Sequence, residues 1–336
     1  MKALFIGGTG TISSYVSKLA LEQGWELTLL NRGTKKLPKG AKELCADIYE
    51  EAKIKQLLSE QTFDVVVDFI AFKPEDVQRD VRLFEGKTKQ YIFISSASAY
   101  QKPVLDCPIT ESTPLYNPYW QYSRDKIACE DYLMCCYRKN GFPITIVRPS
   151  HTYCETGLPL GMHGPTGSWQ IVQRMLDGKP VIIHGDGTSL WTLTHSRDVA
   201  KGIVGLMGNI HAIGNAYHIT SDESLTWNQI YEIVAKHLNV PLNAVHISTE
   251  FLSACSSEEQ LAGLLGDKMH SVIFDNSKIK KAVPGYLAET RFDQGAAEVL
   301  EYLMKHPEKQ IKDPQYDAWY DRVIEAYQNA INQFKK

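Results

Sequence analysis

Tyr122 and Lys126 stand four residues apart in Gln121-Tyr122-Ser123-Arg124-Asp125-Lys126, a stretch that reads as the start of a helix. Phenol and ammonium therefore share one helix face. A phenol with a pKa of about 10 is a poor base at neutral pH, and a neighbouring lysine is a fixed charge that can lower it while also hydrogen-bonding a ribose. Ser96, in Ser95-Ser96-Ala97-Ser98, closes a β-rich run and is placed to hold a reacting oxygen. Together the three point to proton transfer at a secondary alcohol or its ketone.

A second group sits near the start of the chain. Gly7-Gly8-Thr9-Gly10-Thr11-Ile12 follows a strand-like run and opens an amphipathic helix. Glycines there let the backbone approach a pyrophosphate at the positive end of the helix. Ser13 stands where a third glycine would fall, so the packing must tolerate one small side chain. Asn31 and Arg32 follow the second strand, where a carboxylate would select a free ribose. A neutral Asn beside an Arg admits a 2′-phosphate instead, which favours NADP over NAD. Asp47 and Ile48 are placed for the adenine edge, and Tyr122 and Lys126 also face the cofactor.

The elements that must position these groups alternate as strand and helix. Ala3 to Ile6, Glu26 to Leu30, Val65 to Ile70, Tyr91 to Ser95 and Ile144 to Val147 are nearly continuous apolar runs, as buried parallel strands are. Ile12, Tyr15, Val16, Leu19 and Ala20 put one apolar face of a helix against them, and Gly24 ends it. The fold class is α/β, a doubly wound parallel sheet with a smaller, discontinuous C-terminal substrate lobe. Residues 1–150 form the dinucleotide domain, with about 195–220 returning to it, and 151–194 and 221–336 form the lobe. Helices are expected near Ser168 to Leu176, Asp198 to Met207, Trp227 to Leu238, Phe292 to Leu303 and Asp317 to Phe334, with a strand at Tyr217 to Ile219.

Composition narrows the partners. Basic residues number 36 and acidic residues 39, with no run of one sign, which argues against nucleic acid. No apolar run approaches the roughly 18 residues of a membrane span, and no signal peptide precedes Ala3. Seven cysteines without a CxxC pair suggest neither a disulfide framework nor a metal site, and the reducing cytoplasm is the expected compartment. Cys135 and Cys136 read as small buried hydrophobes in a helix.

The motifs resemble the extended short-chain dehydrogenase/reductase superfamily, of the NAD-dependent epimerase/dehydratase type. The resemblance rests on Gly7 to Ser13, Ser96 with Tyr100, Tyr122 with Lys126, Arg148-Pro149, and Gly185-Asp186-Gly187-Thr188 before His195 to Ala200. It lies nearest a divergent branch that includes chloroplast stem-loop RNA-binding proteins. It implies a Rossmann fold and acid/base roles for Ser96, Tyr122 and Lys126 beside hydride transfer. His195 and Asp198 are expected to be structural, Asp198 as a helix N-cap.

Two departures shape the substrate reading. Ala97-Ser98 stand where dehydratases of the family carry Asp-Glu, so water elimination lacks its acid and base. Trp191 and Leu264 stand where nucleotide-sugar members carry arginines that clamp a diphosphate, and Lys268 replaces them poorly. Trp191 could instead offer a flat face to a sugar ring, Ser98 lies beside the reacting centre, and His151, Cys154 and His163 sit in the loop where substrate is expected. The expectation is an NAD(P)-dependent oxidoreductase or epimerase acting on a secondary alcohol or ketone of a sugar-like small molecule, with a homodimer left open. The alternative is a non-catalytic NAD(P)-binding protein that serves as an RNA binder or redox sensor.

Overall fold

The computed structural model describes residues 1–257 and 262–335. The first half of the chain runs β1 (Lys2–Ile6), α1 (Ser13–Glu22), β2 (Glu26–Asn31), β3 (Lys42–Cys45), α2 (Glu51–Leu57), β4 (Val65–Asp68), α3 (Pro74–Phe84), β5 (Tyr91–Ile94), α4 (Gln121–Asn140) and β6 (Ile144–Pro149). The expected strands and first helix are all present, with ends shifted by one or two residues. The apolar pattern did not announce β3, because it is a largely exposed edge strand.

After β6 come β7 (His151–Tyr153), α5 (Trp169–Leu176), β8 (Val181–His184), β9 (Leu190–Trp191), β10 (Leu193–His195), α6 (Ser196–Leu206) and β11 (Asn215–Ile219). Then follow β12 (Leu225–Thr226), α7 (Trp227–Leu238), β13 (Ala244–Ile247) and α8 (Thr249–Cys255). Further helices span Ser277–Ala282, Phe292–Lys305 and Pro314–Asn332.

Seven parallel strands form one sheet in the order β11-β6-β5-β4-β1-β2-β3. The order reverses between β1 and β4, which opens a crevice beyond the carboxyl ends of those strands. The glycine turn, Asp68 and Ser95 all stand at that edge, since Ile6 pairs Asp68 and Asp68 pairs Phe93. β4 and β5 are buried along their whole length, packed by helices on both faces, which is why their sequences carry no alternation. β11 rejoins the sheet beside β6, and α6 packs on α1.

The remaining elements have their own apolar core, built around Trp169, Trp191, Trp227, Phe292 and Tyr320. β8 and β13 pair there in parallel, and β9 and β12 antiparallel. This second core faces the sheet edge across the crevice. His195, not Asp198, is the N-cap of α6: its Nδ1 accepts the Arg197 amide. Asp198 lies within the first turn, where its carboxylate accepts the Thr290 amide and pairs with Lys201. Among the described residues no helix is long and apolar enough to cross a membrane.

Candidate active site

The crevice is a cavity of about 1130 Å³, with Gly7, Gly10, Thr11, Ile12 and Ser13 on one wall and Ser96, Tyr122 and Lys126 on another. Gly7 has φ +82°, and a Cβ there would lie 2.4 Å from Ile70 Cγ2, so only glycine fits the turn. Ser13 does more than fit in place of a glycine. Its hydroxyl donates to Gly7 O and accepts the Gly10 amide, both at 2.7 Å, and so closes the turn. Helix α1 has no side-chain cap, which leaves its first-turn N–H groups without a side-chain acceptor at the crevice. Gly8 and Thr9 do not line the cavity. Gly8 is a packing position, where a Cβ would meet Leu29 at 2.5 Å.

Ser96 and Ser98 stand on a short 3₁₀ turn after β5, and Tyr122 on the first turn of α4. Asn117, buried before α4, joins the two: its amide donates to Ser98 O and Gly266 O, and its oxygen accepts the Tyr119 and Trp120 amides. Ser98 lines the cavity, yet its hydroxyl is engaged by Ser96 at 2.9 Å and by Ser123 at 2.8 Å. Burial pushes the Tyr122 phenol above its ordinary pKa, the Ser96 hydroxyl pulls it down, and Asp267 raises it further. That corrects the expectation that Lys126 lowers it. The Lys126 ammonium donates to Ala71 O and Ile94 O at 2.7 Å each, lies over the Phe72 and Phe93 rings, and is itself brought down to about 8 by burial. Phe72, whose ring also neighbours Tyr122, was not singled out from sequence.

Asn31, Arg32, Asp47 and Ile48 lie outside the cavity lining, on the edge of the sheet beyond the glycine turn. Asn31 Nδ2 is buried without a partner, and Arg32 is exposed with no ion pair among the described residues. Lys35, which sequence reasoning passed over, reaches back to Thr9 O at 3.3 Å. Asp47 accepts the Tyr49 amide in its own turn, and Ile48 is buried in the core beneath it.

The far end of the cavity carries His151, His163, Asp267 and Lys268. Burial, then Lys268, brings His151 down to about 3, and the same causes lower His163. Burial brings Lys268 down to about 8, with Asp267 acting against it, and its ammonium donates to Gly161 O. Asp267 pairs with the fully buried Lys102 at 3.4 Å, a partner no local signal could reveal. Two candidates are displaced. Trp191 is a core residue packed at a tilt of 32° against Trp227, 5.1 Å between centroids, and is 2% exposed, so it offers no open face. Cys154 is buried against Thr156 and does not reach the cavity.

A doubly wound sheet, a glycine turn at its switch point and a Tyr/Lys helix across the crevice define a Rossmann-fold protein built around a dinucleotide cleft. The chain belongs to the NAD dependent epimerase/dehydratase family, whose model matches residues 3–220. It is 25% identical over 289 residues to 2′-dehydrokanamycin reductase of Streptomyces kanamyceticus, covering 85% of this chain and 80% of that one. It is 26% identical over 250 residues to the chloroplast stem-loop binding protein of 41 kDa b of Arabidopsis thaliana, covering 70% and 62%. Its fold matches that of UDP-glucose 4-epimerase from Bifidobacterium longum, solved with NAD+ and UDP, at a TM-score of 0.72 and 21% identity over 92% of this chain and all of that one.

Proposed function

We propose that this protein is an NADP(H)- or NAD(H)-dependent oxidoreductase or epimerase acting on a secondary alcohol or ketone of a sugar-like small molecule, with Tyr122 as its proton carrier. The observation that carries the reading is one cavity with the glycine turn and α1 N-terminus on one side and Ser96, Tyr122 and Lys126 on the other. The first turn of α1, which has no side-chain cap, and the close approach at Gly7 fit a pyrophosphate. The bound nicotinamide accepts or supplies a hydride.

The chain's own residues do the rest. In reduction, the Tyr122 O–H gives its proton to the carbonyl oxygen; in oxidation, the phenolate takes it from the hydroxyl. Ser96 holds that oxygen by a hydrogen bond. Its Oγ accepts the Ser98 amide at 3.2 Å and pairs with the Ser98 hydroxyl at 2.9 Å; with Ser98, which accepts from Ser123, as the donor of that pair, the Ser96 proton faces Tyr122 and the substrate oxygen. Lys126 has two of its three donors on carbonyls, and the third would hold the ribose of a bound cofactor. Phe72 and Trp120, on the lining near Tyr122, keep water from the phenol.

NADP is favoured by the end of β2, where Asn31 stands in place of a carboxylate and Arg32 and Lys35 are cations, while Glu43 of β3 reaches the same turn beside Gly33. The seven cysteines are free, which supports a reducing compartment such as the cytoplasm. Native mass spectrometry of the purified protein tests the reading. Co-purified NADP(H) or NAD(H) is the expected result, and a protein that neither carries nor takes up either cofactor contradicts it.

A further inference from the structure

The far end of the cavity holds two imidazoles whose protons are fixed by neighbours of unambiguous polarity. An indole N–H only donates, and Trp191 Nε1 lies 3.1 Å from His151 Nδ1. His151 Nδ1 is therefore an acceptor, and in the neutral ring the proton is on Nε2. A backbone carbonyl only accepts, and Gly164 O lies 2.9 Å from His163 Nδ1. His163 thus carries its proton on Nδ1 and keeps a lone pair on Nε2. Neither Nε2 has a partner among the described residues, neither is sealed off from the cavity, and both rings line it.

The surroundings are built to hold this arrangement. Trp191 and Trp227 pack against each other in the core of the lobe, and each directs its one polar atom at a group of the cavity end. Trp191 sets His151, while Trp227 Nε1 and His184 Nε2 both donate to Lys268 O at 3.0 Å. The Lys268 ammonium, anchored on Gly161 O, lies near both histidines and disfavours a second positive charge on either. Asp267, the carboxylate of this end, is engaged by Lys102.

We infer that His151 and His163 are a fixed donor and acceptor for a hydroxyl-bearing ring of the substrate, with Trp191 as the positioning residue that sets the His151 tautomer. The inference rests on the reading of the cavity as a sugar-like substrate site. A hydroxyl both donates and accepts, so adjacent hydroxyls of a polyol satisfy an N–H and a lone pair together. A carboxylate or phosphate only accepts and would set its charge against the His163 lone pair.

The test is nitrogen NMR of cofactor-saturated protein labelled at histidine, with resonances assigned by His151→Gln and His163→Gln. The expected spectra show His151 protonated on Nε2 and His163 on Nδ1, both neutral at pH 7 and above. Trp191→Phe, which keeps a ring on Trp227 but has no N–H, should scramble the His151 tautomer and leave His163 unchanged. Methyl glucoside, methyl galactoside and myo-inositol are the ligand probes, and at least one should shift both rings. The same tautomer in both histidines, an imidazolium at either, or no shift with any of the three polyols overturns the inference. Should Trp191→Phe fail to fold, the wild-type spectra and titrations decide alone. Loss of the proton-carrier role of Tyr122 would appear in turnover and not in these spectra, so the two readings fail separately.

Discussion

The Lys126 ammonium lies 5.8 Å from the centroid of the Tyr122 ring and makes its hydrogen bonds elsewhere, to Ala71 O and Ile94 O. In open solvent, a charge so near would favour the phenolate. In this cleft burial sets both groups: the phenol is held above its ordinary range, and the ammonium is brought down to about 8. The proton therefore stays on Tyr122 at neutral pH, ready for delivery to a carbonyl.

A pH dependence follows with a definite sign. Carbonyl reduction uses the protonated phenol and should be nearly flat from about pH 6 to pH 8, whereas alcohol oxidation needs the phenolate and should climb with pH. Profiles of kcat/KM in both directions check this. An oxidative limb already complete at neutral pH contradicts it.

The sheet and the Tyr/Lys helix were legible because their signals are local. Buried parallel strands are apolar runs, and a four-residue spacing fixes a helix face. What stayed hidden depended on distant neighbours. Trp191 could be read as an open aromatic face until Trp227, 36 positions later in the chain, was seen to cover it. Asp198 resembled an N-cap because capping aspartates are common, but the His195 ring reached the Arg197 amide first. The Tyr122 shift was misjudged because spacing reports proximity to Lys126, whereas burial depends on Phe72, Trp120 and the surrounding cleft.

Arg32→Ala should weaken NADP(H) about tenfold or more and leave NAD(H) nearly unchanged, since the contact expected of Arg32 is with the 2′-phosphate alone. Titration of both cofactors into both proteins measures it. Equal loss for the two, or a wild-type preference for NAD(H), removes the NADP assignment.

Gly7→Ala should destabilise the protein by roughly 1–3 kcal/mol, because the new methyl would meet Ile70 Cγ2 at 2.4 Å in a left-handed backbone. Thermal unfolding reports it as a lower Tm. Gly24→Ala is the comparison: its φ is +81° but a Cβ there meets nothing within 4 Å, so it should cost less. Equal losses would mean that backbone conformation, not the approach of Ile70, restricts the turn.

UDP and UDP-glucose should bind more weakly than micromolar to the cofactor-saturated protein. Among the described lining residues the lysines are Lys126 and Lys268, and there is no arginine. Lys126 is held by two carbonyls and Lys268 by one, and with no arginine beside them a diphosphate is poorly matched in a buried cleft. Calorimetric titration decides, and micromolar binding of either ligand reverses the conclusion.

The most direct measurement is steady-state turnover of Tyr122→Phe beside wild type, on a substrate identified from the co-purified ligand, with cofactor affinity measured on the same samples. The phenyl ring keeps its place between Phe72 and Trp120, and only the proton carrier is lost. Turnover should fall by about 10² to 10⁴ while cofactor affinity changes little. Turnover within a few-fold of wild type would contradict the assignment of Tyr122 as the group that moves the proton.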